Sequence, residues 1–411
     1  NFIFTNDRWD SNNTLVSAGS ATPAYTYDDI LNALGAGNAP LHTIRYPGGA
    51  VTESYLDLNV ASFFSSTHNG KSITSPGSFL DLCRQQNVDV AFVMPTKRFI
   101  GTQVDSTGNR VEAVDDQLVH DFVLKLLVEA DVRGVNLGEF ELGNEWWSSD
   151  TGYINAIEYG RIASEMARVI QSAVDEFRVL HSKPATWAGP EIVVQIGARE
   201  NASIETEQIF SQFTDPAAKR SIDGLVAHRY VKNSFEDIDA NWVDSRIYGF
   251  EKWEELVAQS GDPNWKTGGF SRNISEWNLS AHGTIHTVET GLRSYSSFVK
   301  LFSEITAQGV DRANVWAVQN WNNFDLALNS ASNGEYFRGL SFTGEAFRMM
   351  NESLRGTKVV DLSGYLANAS PSATNLSVEA FTDPNKLIFL ISNRAGVLDK
   401  VSLDVSSMVG S

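Results

Sequence analysis

Helix-like and strand-like segments alternate along residues 15–340. The strands read as short, nearly continuous apolar runs, and beyond residue 340 the pattern changes to two-residue alternation. These three observations predict an α/β chain: a (β/α)8 (TIM) barrel followed by a small C-terminal antiparallel β-sandwich domain. Parallel strands buried on both faces lose the polar alternation of a half-exposed sheet, which is why the apolar runs carry the argument. An open doubly wound sheet is the alternative, but no Gly-rich phosphate loop follows any strand, and no cofactor is expected. At 411 residues the chain exceeds the roughly 250–300 at which one core stops growing, so a barrel with a companion suits its length.

Taken in order, Tyr27 to Leu34 reads as a short helix closed by Gly35, and His42 to Tyr46 as a strand stopped by Pro47-Gly48-Gly49. Phe79 to Gln86 is helical, and Val88 to Met94 is a strand stopped by Pro95. Gln117 to Ala130 is a helix. The strand after it, Val135 to Leu142, alternates Glu139 and Glu141 with Phe140 and Leu142 until Gly143-Asn144 breaks it. Glu158 to Leu180 is an amphipathic helix with Ile162, Met166, Val169, Val174 and Phe177 on one face. Strands at Ile192 to Ile196, Leu225 to Tyr230 and Phe270 to Ser275 follow. Next come a helix carrying Leu292, Tyr295, Phe298, Val299, Phe302 and Ile305, and a strand from Ala313 to Val318. That makes seven strands, with the eighth expected within Thr14 to Ser20. In the tail, Leu376 to Phe381 and Lys386 to Ser392 alternate around Asp383-Pro384-Asn385, a hairpin and not a βα unit. Residues 341–411 are therefore assigned to the β-sandwich, which residues 1–14, through Phe2 to Thr5, can complete.

Composition narrows the partners. A hydrophobic content of 42% and a charged content of 20% are those of an ordinary folded protein, and no run approaches the ~20 apolar residues of a membrane helix. A formal charge of −18 repels a polyanion, so no nucleic-acid partner is expected; a neutral or cationic substrate suits it better. Cys83 is the single cysteine, which excludes an internal disulfide and is expected to pack as a small buried hydrophobe. The chain starts at Asn1 without a signal peptide and reads as processed or excised. With its acidity and missing disulfides, it fits a secreted bacterial protein.

In a barrel, chemistry sits where strands end. Those ends are Arg45, Thr96, Asn144-Glu145, His228 with Tyr230, Glu276 with Trp277, and Trp316 through Trp321. Two carboxyl groups, an arginine, an asparagine and a tyrosine ringed by tryptophans are the equipment for cleaving a glycosidic bond with retention. One carboxyl must be held protonated, which burial against Trp146 and Trp147 favours; the other must stay ionised, which Arg45 and Tyr230 favour.

The stretches "RYPGGAVTESY", "LGNEWW", "AHRY" and "ISEWNLS", each at a strand end and in this order, resemble the clan A glycoside hydrolases. Their pattern is most similar to that of the α-L-arabinofuranosidases, with the β-xylosidase and related glycanase families close by. The resemblance implies a catalytic pair in which Glu145 is the acid/base and Glu276 the nucleophile. It further implies that Asn144 holds the sugar 2-hydroxyl, that Arg45 and Tyr230 bond the nucleophile, and that His228 lines the pocket. Trp146, Trp277, Trp316 and Trp321 are candidates for stacking on substrate, though with Trp147 they cannot all be platforms. The chain departs from the arabinofuranosidase pattern where Ala50 replaces an asparagine and in Thr52-Glu53-Ser54-Tyr55, a loop that touches the sugar.

Plainer readings exist for each feature. Glu145 and Glu276 could serve helix N-termini, and a strand-end arginine often ties barrel carboxylates. Glu139 and Glu141 are expected to pair with arginines inside the barrel. His282 and His286 stand four apart, but Gly283 and Thr284 disfavour a helix there, so no metal site is assigned. Asp237-x-Asp239-x-Asn241 starts like a calcium loop but carries Trp242 and Tyr248 at two required positions. Two Asn-x-Ser triplets flanking Glu276 read as chance. The expected function is a retaining glycosidase acting on a plant or algal poly- or oligosaccharide. A carbohydrate-binding protein without turnover on the same fold is the alternative, and a lyase a more distant one.

Overall fold

The computed structural model describes residues 2–3, 32–34, 43–149, 152–198, 201–232, 244–266, 268–280, 292–316, 318, 325–326, 339–362 and 376–393. Eight parallel strands close a barrel in chain order: β1 (Phe2–Ile3), β2 (Thr43–Tyr46), β3 (Asp89–Met94), β4 (Leu137–Leu142), β5 (Glu191–Gln195), β6 (Gly224–Lys232), β7 (Ser271–Ser280) and β8 (Arg312–Val315). Among the described residues the α-helices are α1 (Ala50–Ser54), α2 (Pro76–Gln86), α3 (Asp116–Arg133), α4 (Ala156–Leu180), α5 (Ala202–Phe210), α6 (Pro216–Ser221), α7 (Asp244–Ser260), α8 (Leu292–Ala307) and α9 (Phe342–Ser353).

Local signals explain the boundaries. Ser75 caps α2 ahead of Pro76, and α3 runs from an Asp115 cap to left-handed Gly134. Asn155 and Glu158 close a capping box at the start of α4, whose expected apolar face is buried throughout. Helices α5, α6 and α7 were not anticipated, although Asp215-Pro216 is a start signal: Asp215 accepts from the amides of Ala217 and Ala218.

The eighth strand corrects the sequence reading. Residues 14–20 lie outside the described residues, and the remaining place in the barrel is filled by Phe2–Ile3. Phe2 pairs with Val315 on one side and Ile44 on the other. Phe2 and Ile3 therefore belong to the barrel and not to the sheet of the tail. A two-residue strand is too short to show a period, so only the closed sheet identifies it. The tail forms an antiparallel sheet of β9 (Lys358–Val360), β10 (Leu376–Asp383) and β11 (Lys386–Asn393). Asp383 makes the hairpin turn by accepting from the amides of Asn385 and Lys386. The boundary expected at 340/341 falls just before α9, which packs on α8 as the next helix of the outer ring.

Alternation along the strands decides what faces the barrel axis. On β4, Glu139 and Glu141 point inward, where Arg312 meets the first at 2.6 Å and Arg45 the second at 2.6 Å. On β7 the alternation is broken. Ala227 pairs with Ile274 but His228 pairs with Glu276, leaving Ser275 as an extra, bulged residue. Ser275 and Glu276 thereby both turn toward the mouth of the barrel, and Trp277 turns out. Trp277 is 1% exposed and stacks on Phe298 of α8 with centroids 4.6 Å apart, so it is core and not a sugar platform as expected. Replacing Trp277 with Ala should cost about 3–5 kcal/mol in urea unfolding; a loss below about 1 kcal/mol would contradict this packing.

Candidate active site

The ends of β2, β4, β5, β6 and β7 bring the pocket together. The chain leaves β2 through Pro47-Gly48-Gly49 into α1. It leaves β4 through Gly143 at φ 81°, where a Cβ would lie 2.5 Å from the Thr96 hydroxyl, so only glycine fits. Glu145 itself sits at φ 45°, a left-handed conformation that costs a non-glycine residue on the order of 1 kcal/mol or more and recurs at functional sites. The β7 bulge supplies Glu276 from across the barrel.

Arg45 is the hub. Its guanidinium, fully buried, donates Nε and Nη2 to the two oxygens of Glu141 at 2.6 and 2.8 Å. Nη2 also reaches Asn144 Oδ1 at 2.9 Å, and Nη1 reaches Glu276 Oε1 at 2.9 Å. The Tyr230 hydroxyl donates to the other Glu276 oxygen at 2.6 Å. Burial and the Glu276 charge push the Tyr230 phenol well above its usual range, which keeps it a donor. Burial is the largest influence on Glu141 and would raise it, but the charge and hydrogen bonds of Arg45 together with the influence of His228 outweigh it and draw that carboxyl down to about 2. Gln195 completes the floor by donating to Glu141 and to the Gly143 carbonyl, 3.0 Å each.

His228 settles where the mobile proton rests. Its Nε2 lies 3.0 Å from the Ser275 hydroxyl, which in turn donates to Glu141; at 3.8 Å, Nε2 is too far from Glu141 for a direct bond. Nε2 therefore carries hydrogen. Nδ1 faces Glu145 at 3.1 Å and Glu276 Oε2 at 3.5 Å. Burial opposes a charged imidazole, but Glu276, Glu141 and Glu145 outweigh it and lift His228 to about 9. Burial likewise tends to raise Glu145, yet the hydrogen bond and charge of His228 bring it below the ordinary carboxylate value. In the free protein the proton shared by this pair thus sits on His228. The sequence reading placed it on Glu145, kept there by tryptophans. Trp146 instead packs beneath the loop, and the Glu145 side chain is 30% exposed.

Of the expected site residues, Arg45, Asn144, Glu145, His228, Tyr230 and Glu276 converge. Trp146 does not join them: it is 2% exposed, stacks on Tyr159 of α4 with centroids 5.8 Å apart, and donates to the Ile196 carbonyl. Trp316 is half-buried and stands edge-on to Tyr230 at 5.9 Å. Trp321 lies outside the described residues, as do His282, His286 and residues 237–241. The wall the motif hid is Trp147, half-buried and edge-on to His228 at 5.6 Å. Gln195 and Ser275 were not anticipated as site residues, and Glu53 was named only within a loop expected to touch the sugar, with no role; each is an ordinary polar residue in sequence, and only the folded chain shows what it binds. Asn273 and Asn278, heads of the two glycosylation-like triplets, are 1% and 0% exposed and cannot carry a glycan.

One oxygen each of Glu145 and Glu276 and a nitrogen of His228 lie within 4.8 Å of one another, close enough to hold a metal ion. With hydrogen on Nε2 toward Ser275 and on Nδ1 toward Glu145, a charged His228 has no lone pair left for an ion, and both Glu276 oxygens already accept from Arg45 and Tyr230. The same spacing suits two carboxyl groups acting across a single bond.

No family model and no curated protein matches the sequence. Solved structures do. An α-L-arabinofuranosidase from Thermotoga maritima, in complex with arabinose, is 14% identical at a TM-score of 0.57, over 95% of this chain and 82% of that one. AbfB, a family 51 α-L-arabinofuranosidase from Bifidobacterium longum, is 12% identical at 0.58, over 96% and 82%. The catalytic domain of a GH30 xylanase C from Talaromyces cellulolyticus is 12% identical at 0.50, over 89% and 78%. At these identities the likeness is one of fold alone: the parallel barrel described above is shared with these structures.

A histidine raised from about 6.5 to about 9 stabilises the folded state fully below about pH 6.5 and loses that contribution as pH rises through 9. The difference is on the order of 3 kcal/mol. Between pH 6.5 and 9.5 the unfolding free energy of the protein should fall more steeply than that of a His228→Asn variant; parallel curves would refute the charged imidazole.

Proposed function

We propose that the protein is a retaining glycoside hydrolase that cleaves a poly- or oligosaccharide of plant or algal type by double displacement. The observation that carries this reading is the carboxyl pair: one oxygen of Glu145 lies within 4.8 Å of one oxygen of Glu276. Retaining enzymes hold the two groups about 5–5.5 Å apart, whereas inverting ones leave about 6.5–9.5 Å for a water. A binding protein without turnover would need neither this spacing nor an arginine and a tyrosine fixing both oxygens of one carboxyl, and their convergence disfavours it.

In the first step the proton resting on His228 Nδ1 passes to Glu145, which delivers it to the departing glycosidic oxygen. Glu276 attacks the anomeric carbon as that bond breaks, forming a glycosyl-enzyme. Arg45 and Tyr230 aim the attacking oxygen by fixing both lone-pair sides of the carboxylate. With the leaving group gone, Glu145 takes a proton from water, the water attacks the same carbon, and Glu276 is released. Asn144, whose Oδ1 is held by Arg45, presents its amide N–H groups to a sugar hydroxyl. Trp316 and Trp147 flank the pocket. The −18 charge suits a neutral glycan outside the cell.

A Glu276→Ala variant should lose at least about 10³-fold in turnover of aryl glycosides and regain part of it with azide or formate, giving product of inverted configuration by NMR. Undiminished turnover, or loss without rescue on a panel of aryl glycosides and plant and algal polysaccharides, would refute the nucleophile. In a Glu145→Ala variant, azide should instead give a glycosyl azide of retained configuration, and an inverted azide would refute the acid/base assignment.

A further inference from the structure

Glu53 plays no part in the double displacement, yet its carboxyl is bonded on every side. From α1 it reaches across to the ends of β3 and β4 and is 6% exposed. Oε1 accepts from the Asn144 amide at 2.9 Å and the Thr96 hydroxyl at 3.1 Å; Oε2 accepts from the amides of Thr96 and Lys97, both at 2.9 Å. All four bonds are donated to it, so an acceptor-only carboxylate is what this position requires. A glutamine would turn an NH2 group against two of those donors.

The bonds bracket Glu145. On its amino side Glu53 holds the amide of Asn144, whose side chain Arg45 holds from the other direction. On its carboxyl side Glu53 holds the Lys97 backbone, and the Lys97 ammonium donates to the Ser148 carbonyl at 2.7 Å. The residue between these anchors is the one at φ 45°, a conformation that persists only when its surroundings enforce it.

We infer that Glu53 is a positioning residue that fixes the Asn144–Ser148 turn and so sets the aim of the Glu145 carboxyl at the glycosidic oxygen. The inference rests on the acid/base reading of Glu145 given above. Protonation of the leaving group matters for poor leaving groups and hardly at all for dinitrophenolate, so a misaimed Glu145 has a signature that general destabilisation lacks.

The test is kcat/KM for Glu53→Gln across a series of glycosides from dinitrophenyl to alkyl. The expected result is a loss of about 10–100-fold for the alkyl glycosides and less than about 3-fold for the dinitrophenyl ones. A uniform loss, or none, overturns the inference. Should Glu53→Gln fail to fold, Glu53→Asp keeps the charge but draws it back by one methylene, and a flat response across the series then overturns it. Glu145→Gln, run in parallel, separates the two claims. If it too lacks the leaving-group dependence, the acid/base reading fails; if it alone shows the dependence, only the role of Glu53 fails.

Discussion

The guanidinium of Arg45, wholly out of reach of solvent, is shared among Glu141, Asn144 and Glu276, and the pocket takes its shape from that sharing. A planar fork of donors can bind one carboxylate with two hydrogen bonds and still reach a second; a lysine ammonium could not hold those directions. The group also answers an electrostatic problem. Glu141 and Glu276 are both nearly inaccessible, and an unpaired buried charge would cost several kcal/mol. One guanidinium facing two carboxylates leaves an excess of negative charge, which draws a proton onto His228. The arginine thus fixes both where the carboxylates stand and how many protons the site carries.

Departures from regular backbone geometry cluster at the same place. Gly143 and Glu145 are left-handed, and Ser275 is extra in its strand. Each has a local consequence that regular structure could not give. The β4 turn stacks the Asn144 amide over Glu53, and the bulge lets adjacent residues Ser275 and Glu276 serve one cavity, the first through His228 and the second through Arg45. The surrounding hydrogen bonds hold these conformations in place.

The tryptophans divide by the same geometry. Once Glu276 faces inward, the next residue along the strand must face outward, so Trp277 joins the seam with α8. In the turn after β4, Trp146 is taken up by Tyr159 beneath the loop and Trp147 is left beside His228. A motif read as one aromatic cluster is two: rings that brace the site from outside, and rings that border it. The shared fold at 12–14% identity fits this division, because a barrel preserves where its strands end while the loops beyond them vary.

By itself the sequence determined seven of the barrel strands, the helices α2, α3, α4 and α8, the tail hairpin, the pairing of Glu139 and Glu141 with arginines, and six polar side chains of the pocket. Those features are written in short-range terms: periodicity, turn residues and the chemistry available at a strand's end. It did not determine that Phe2–Ile3 closes the barrel, because two residues have no period. Nor did it determine that Gln195 and Ser275 belong to the site, or what Glu53 binds there. Only the tertiary structure decided which tryptophan faces in and whether the proton rests on Glu145 or His228. Those outcomes depend on distances of about 3 Å between residues tens to hundreds of positions apart, and on burial, which exists only once the barrel has closed.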